Sequence, residues 1–168
     1  MKTIRDLNTP PHIAGRVEAI VVRGDPRLPA RFIDATRALA GIGLADDRLG
    51  RRGEAELSTR QVTLIQHEHL PLIAAWCGLS HVDPRGLRRN LVVSGVNLIA
   101  GHALFADLAL VWRVGQEVRI EITGACAPFS ACVGLRLRSS RGGSRFRAAT
   151  CITSCAEIGG SPRGASSN

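Results

Sequence analysis

The stretch that most constrains this chain runs Gly86-Leu87-Arg88-Arg89-Asn90-Leu91-Val92-Val93-Ser94-Gly95-Val96-Asn97-Leu98. Leu91 to Val93 is apolar and mostly β-branched, with turn formers on both sides, and reads as a short buried strand. Such a strand carries its flanking polar residues to the edge of the core. Arginine, asparagine and serine there need partners, because burial without them is costly. An anionic, oxygen-rich ligand would satisfy them. The competing reading leaves Arg88 and Arg89 in solvent and makes Asn90 a plain turn residue.

The rest of the chain repeats this scale of element. Residues 1–14 read as a leader, with Pro10-Pro11 barring helix near its end. From Gly15, Val17, Ala19 and Val21 alternate with Arg16, Glu18, Ile20 and Val22 as a first strand, which Gly24-Asp25-Pro26 turns. Ala35–Leu44 is small and apolar, and the charged, glycine-bearing residues 48–60 read as an exposed loop. Arg60–Gln66 reads as a second buried strand, followed by a short helix from about His67 to Cys77. Ala109–Val114 and Val118–Ile122 are two further strands around Gly115. In the latter, Val118, Ile120 and Ile122 face one way and Arg119 and Glu121 the other. Trp76 and Trp112 lie in apolar runs and are assigned to the core. Many short strands with few helices indicate a mainly β fold, a barrel or a sandwich.

Composition narrows the function classes. A chain of 168 residues with 45% hydrophobic content fits one folded domain. The net charge of +8 is concentrated in the tail, where Arg136, Arg138, Arg141, Arg145, Arg147 and Arg163 stand against Glu157 alone. With no tyrosine and 4% aromatic residues, the rest offers little for base stacking, so nucleic acid is not an expected partner. No apolar window approaches the roughly 18 residues of a membrane span, so no membrane partner is expected. Five cysteines, an odd number without a secretion signal, point to reduced thiols in a cytoplasmic chain. His67-Glu68-His69 could offer two imidazoles to a metal but lacks a third ligand at obvious spacing, so exposed or capping histidines are the simpler reading. Cys126, Cys132, Cys151 and Cys155 fit no standard zinc spacing.

Four segments occur here in the order seen in MOSC domains, the molybdenum cofactor sulfurase C-terminal domains. They are Asp47-Arg48 after a glycine-rich turn, Arg60-Gln61-Val62-Thr63-Leu64-Ile65, the stretch Arg88 to Leu98, and Gly124-Ala125-Cys126-Ala127-Pro128. Over roughly residues 15–130 the chain resembles the stand-alone bacterial members of that family. The resemblance implies a MOSC-type β-barrel, similar to the pyruvate-kinase barrel, with a few short helices. It divides the chain into a leader (1–14), a MOSC domain (15–130) and a divergent basic tail rich in Ser, Arg and Cys (131–168). That tail reads as a frame-altered or incomplete end, which would leave the barrel short of its closing strands.

The resemblance also implies binding of the molybdenum cofactor, molybdopterin, or carriage of sulfur, with sulfurtransferase or molybdenum-cofactor-dependent reductase activity. Arg88 and Asn90 would then hold the cofactor's phosphate or pterin, with Ser94 and Asn97 lining the same end. Arg48 and Arg60 would add positive charge, and Cys126 would present a thiolate to the metal. Arginine forks match phosphate oxygens and soft thiolates suit a metal–sulfur centre, so the chemistry is consistent. The implied partners are a sulfur-donating enzyme and an electron-transfer protein. Pyridoxal phosphate would belong only to a partner sulfurase. One departure stands out: the family pattern reads Cys-x-Pro-Cys, but here Phe129 follows Pro128. A phenyl ring cannot ligate metal or carry sulfur. This leaves Cys126 as the stand-in, or the chain as a degenerate, non-catalytic cofactor-binding member.

Overall fold

Strands dominate because the apolar residues alternate, and their pairings return to where they start. The structure, a computed structural model, describes residues 14–52, 61–98, 108–125, 132–138, 144–147 and 151–158. In chain order the elements are β1 (Ala14–Val22), β2 (Arg31–Ile33), β3 (Ala35–Leu39), β4 (Gly43–Leu44), α1 (Arg48–Arg52), β5 (Val62–Gln66) and α2 (His69–Trp76). A 3-10 turn (Pro84–Leu87) leads to β6 (Leu91–Ser94), then β7 (Leu108–Val114), β8 (Val118–Ala125), β9 (Cys132–Arg138), β10 (Ser144–Arg147) and β11 (Cys151–Ile158). Pairing runs β1, β6, β5, β9, β8, β7, β11 and back to β1, a ring of seven strands. Closure of this kind leaves few free edges. One edge of β1 is shared: Ala14–Arg16 pair with β11, and Ile20–Val22 with β2. Only β5 and β6 run parallel among the ring's neighbours. The mainly β, barrel-like architecture expected from the sequence is present.

The ring interior is apolar. Val17, Ile20, Val22, Val62, Leu64, Leu91, Val93 and Trp112 pack there with the inward residues of β8. Ala38 and Leu44 join the same cluster. The small sheet β10-β3-β4 therefore packs against the ring's core. On the outer face, α2 lays Leu70 and Ile73 over Ile65 and Val92. Among the described residues no helix is long and apolar enough to cross a membrane.

The structure departs from the sequence reading at three places. In β1 the register against β6 shifts between Val17 and Ala19, so Glu18 is a bulge. The extra residue reverses the alternation, and Val17 shares the core with Ile20 and Val22 rather than with Ala19 and Val21. Part of the expected 48–60 loop is helix α1, and residues 53–60 lie outside the described set. This helix sits so close to β4 that a Cβ on Gly50 would stand 2.1 Å from the Leu44 carbonyl oxygen. Trp76 is not core but 80% exposed. It closes α2 away from the stripe of Leu70, Ile73 and Ala74 that the helix buries. Trp112, by contrast, is 4% exposed.

Residues beyond 130 supply β9, β10 and β11, and it is β11 that joins β7 to β1. Cys132 on β9 pairs with Ile65, and Cys151 and Cys155 on β11 pair with Arg16 and Val111, so β7 and β8 separate them. Trp112→Ala should lower unfolding stability by about 3–5 kcal/mol, because it empties a filled core. Trp76→Ala should change it by less than about 0.5 kcal/mol, since that ring is largely exposed. Urea denaturation of both variants checks the contrast.

Candidate functional site

Asn90 precedes β6, and its backbone already continues the parallel ladder. Its N–H donates to the Thr63 carbonyl at 2.9 Å, and its carbonyl accepts from Val21 N–H at 2.7 Å. The side-chain amide is equally committed. Its Oδ1 accepts from the Thr63 N–H at 3.1 Å and the Thr63 hydroxyl at 3.0 Å. Its Nδ2 donates to Asp47 Oδ2 at 3.1 Å and to the Val21 carbonyl at 3.4 Å. A backbone N–H only donates and a carbonyl only accepts, so these partners define which way the amide points. Asp47 in turn accepts the Arg23 N–H on Oδ1 at 2.7 Å. One amide thus ties β1, β5 and the start of α1 to β6, and has no capacity left over.

The arginines around this clamp differ. Arg48, first residue of α1, and Arg88 are both exposed. The 3-10 turn before Arg88 starts at Asp83, whose carboxylate accepts the Arg85 N–H at 2.9 Å, with Pro84 following. The Arg85 side chain hydrogen-bonds back to Asp83 and holds that carboxyl below the usual range. Arg88 then takes φ of 54°, the single left-handed non-glycine among the described residues. Among those residues nothing hydrogen-bonds its guanidinium. Arg89 is buried, at 7% exposure. Its Nη1 donates to the Arg88 carbonyl at a long 3.4 Å, and its Nε has no partner. Arg60 lies outside the described residues.

Ser94 and Asn97 lie at the opposite end of β6, roughly 13 Å along the strand at ~3.3 Å per residue. Ser94 is part-buried and its hydroxyl donates to Glu18, the residue at the β1 bulge. Gly95, at φ of 71°, donates its N–H to Glu68 Oε1 at 2.7 Å, and Leu98 N–H donates to Gln66 Oε1 at 3.1 Å. Asn97 is exposed. Among the described residues no group of three or more His, Cys, Asp and Glu is placed to hold a metal, and His67 and His69 belong to no such group. Cys126 and Phe129 lie outside the described residues. The strands flanking them can be placed: Ala125, last in β8, is level through Val133 with Leu64 and Leu91, and β9 starts level with Ile65. β8 therefore ends, and β9 begins, level with the first half of β6, at Leu91 and Val92.

The structure thus groups Arg48, Arg88 and Asn90 at one end of β6, and Ser94 and Asn97 at the other. Reading residues alone missed Asp47's carboxylate as the partner of Asn90, the inward course of Arg89, and the acids Glu18 and Glu68 that satisfy the Ser94 end. Strand alternation was the available signal for Arg89, since Leu91 and Val93 face the core and Arg89 is in phase with them.

Asn90→Ala should cost about 2–3 kcal/mol, because Thr63 N–H and the Asp47 carboxylate lose their partner in a part-buried place. Guanidinium denaturation measures it. Burial works to raise the pKa of Glu68, but hydrogen bonds from Gly95 and its own N–H, with the charges of His67 and His69, outweigh it and lower the pKa below the ordinary 4.5. A depressed carboxyl pKa stabilises the fold above the unfolded value, and the effect fades as pH falls through the folded one. Glu68→Gln should therefore be less stable than wild type at neutral pH, with the gap closing below pH 4.5. Melting curves across that range test the sign.

The geometry can be set beside known proteins. No curated protein matches the chain. A solved structure, the crystal structure of the YuaD protein from Bacillus subtilis, superposes with a TM-score of 0.65 at 13% identity, covering 87% of this chain and 98% of that one. At that identity the likeness concerns the fold. The sequence model of the MOSC domain matches residues 37–150, well over half of the chain and reaching past β10. The chain belongs to the MOSC domain family.

Proposed function

We propose that this MOSC domain binds the molybdenum cofactor, with Arg88 and Arg48 meeting its phosphate at the N-terminal end of β6. The observation that carries the reading is Arg88 itself. It is an exposed arginine with no partner among the described residues, held at a left-handed φ of 54° by a capped 3-10 turn on one side and the Asn90 clamp on the other. A non-glycine residue kept there costs about 1–2 kcal/mol, and such strain persists where the surroundings over-determine it. Two exposed guanidiniums, neither with a partner among the described residues, match a phosphate, which arginine recognises through paired N–H donors.

Asn90 does not fit as a ligand, because its amide is already saturated. Its part is to position Arg88. When bound, the cofactor would supply a molybdenum centre for sulfur or oxygen-atom chemistry. In a sulfur-carrying role the domain would take its sulfur from a donor enzyme, and any pyridoxal phosphate would reside there.

A second reading, a binding-only member without a reacting thiol, is favoured by one observation. Phe129 stands where the family pattern has its second cysteine. Metal and pterin analysis of purified protein separates the readings. Molybdenum and pterin should accompany wild type and be lost in Arg88→Gly, a variant that relieves the left-handed strain and should fold at least as stably as wild type. Loss of metal in Cys126→Ala makes that thiol a ligand, and retention supports the binding-only reading. A folded wild type that takes up neither molybdenum nor pterin when supplied with the cofactor overturns both.

A further inference from the structure

We infer that the inner side of this strand end holds a small tetrahedral oxyanion, phosphate or sulfate in class, against the buried guanidinium of Arg89. The argument starts from the alternation. Leu91 and Val93 face the ring's core, while Asn90 meets Thr63 on the outer side. Arg89 is in phase with the former. Continuing the register by two residues from Ile20, Leu91 and Leu64 sets Arg89 level with Val22 and Val62, both fully buried core residues. Its stem thus covers the end of the apolar core, on the side where Asp47 and α1 join the ring.

A guanidinium has five N–H donors and stays charged in proteins. At 7% exposure, Arg89 makes one long hydrogen bond among the described residues, from Nη1 to the Arg88 carbonyl at 3.4 Å, and its Nε is buried without a partner. Among the described residues it has no ion pair. The two carboxylates of the clamp accept from neutral donors, Asp47 from Arg23 N–H and Asn90, and Asp46 from the Thr36 hydroxyl at 2.7 Å. A buried cation without a counter-charge is strongly disfavoured, so native proteins pair such groups. A planar fork with a free Nε–H suits two oxygens of a tetrahedral anion. The ion could be free, or could be the phosphate of an esterified ligand; the chemistry at Arg89 is shared.

The site uses a different residue from the cofactor reading, so the two fail separately. Phosphorus NMR titration of the full-length protein with inorganic phosphate, and in parallel with glycerol phosphate, should show saturable binding of at least one. Arg89→Lys should weaken that affinity roughly ten-fold or more by losing the fork, whereas Arg88→Gly should leave inorganic phosphate binding in place even as it loses pterin. Binding of the ester alone would identify the occupant as the phosphate of a larger molecule, and binding of the ion alone would identify a free oxyanion. Thermal melts add a check that does not depend on NMR. Phosphate should raise the wild-type melting temperature more than that of Arg89→Met, with equimolar chloride as the control for general salt effects. Equal responses of wild type, Arg89→Lys and Arg89→Met, or no saturable binding to wild type, would overturn the inference.

Discussion

The Asn90 amide is the interaction on which the arrangement of this end of the molecule depends. β5 and β6 form the parallel step in a ring otherwise built from antiparallel pairs, and only Leu64–Gln66 and Leu91–Val93 are in register. Parallel pairs are somewhat weaker per residue, and this one is short. Asn90 lengthens it with backbone and side chain together, bonding Thr63 from both. Because the same amide also reaches Asp47, whose other oxygen holds the Arg23 N–H, the start of α1 is fixed to the end of β1 by the same group. Removing it would loosen three elements at once.

That clamp explains why the two ends of β6 carry opposite chemistry. At the N-terminal end neutral donors cover Asp46 and Asp47, and three arginines stand beside them, Arg48 and Arg88 outside and Arg89 inside. At the C-terminal end Glu18 and Glu68 face the Ser94–Gly95 turn and accept its donors. Under the proposed cofactor reading, the end that carries the three arginines is the one that would receive a phosphate.

The fold was largely legible because its strands follow simple rules. β6 stood out as an apolar run, and β8 as a clean alternation whose inward residues, Val118 and Ile120, are indeed buried. What escaped reading depends on one-residue details that periodicity does not encode. The bulge at Glu18 reversed the faces of β1, and the same bulge brought that carboxylate to Ser94. Trp76 looked like core because its neighbours are apolar, yet the helix ends with that ring off its buried stripe. The site was legible as a motif but not as a geometry. The resemblance grouped Arg88, Asn90, Ser94 and Asn97 by closeness in sequence, whereas a strand separates its two ends in space.

The sharpest instance is the run of three residues at the head of β6. Arg88, in a left-handed turn, projects into solvent. Arg89, one step into the extended chain, is buried on the core side. Asn90, the next step, returns to the outer side and is saturated by Thr63, Asp47 and Val21. By residue type all three would pass as ligands for an oxygen-rich anion. By hydrogen-bond capacity only the arginines remain available, and by burial only Arg89 lacks solvent to make up its deficit. The recognisable motif thus divides into a residue that ties the strands together and two whose donors remain available among the described residues, and the division follows from backbone conformation, not from the identity of the side chains.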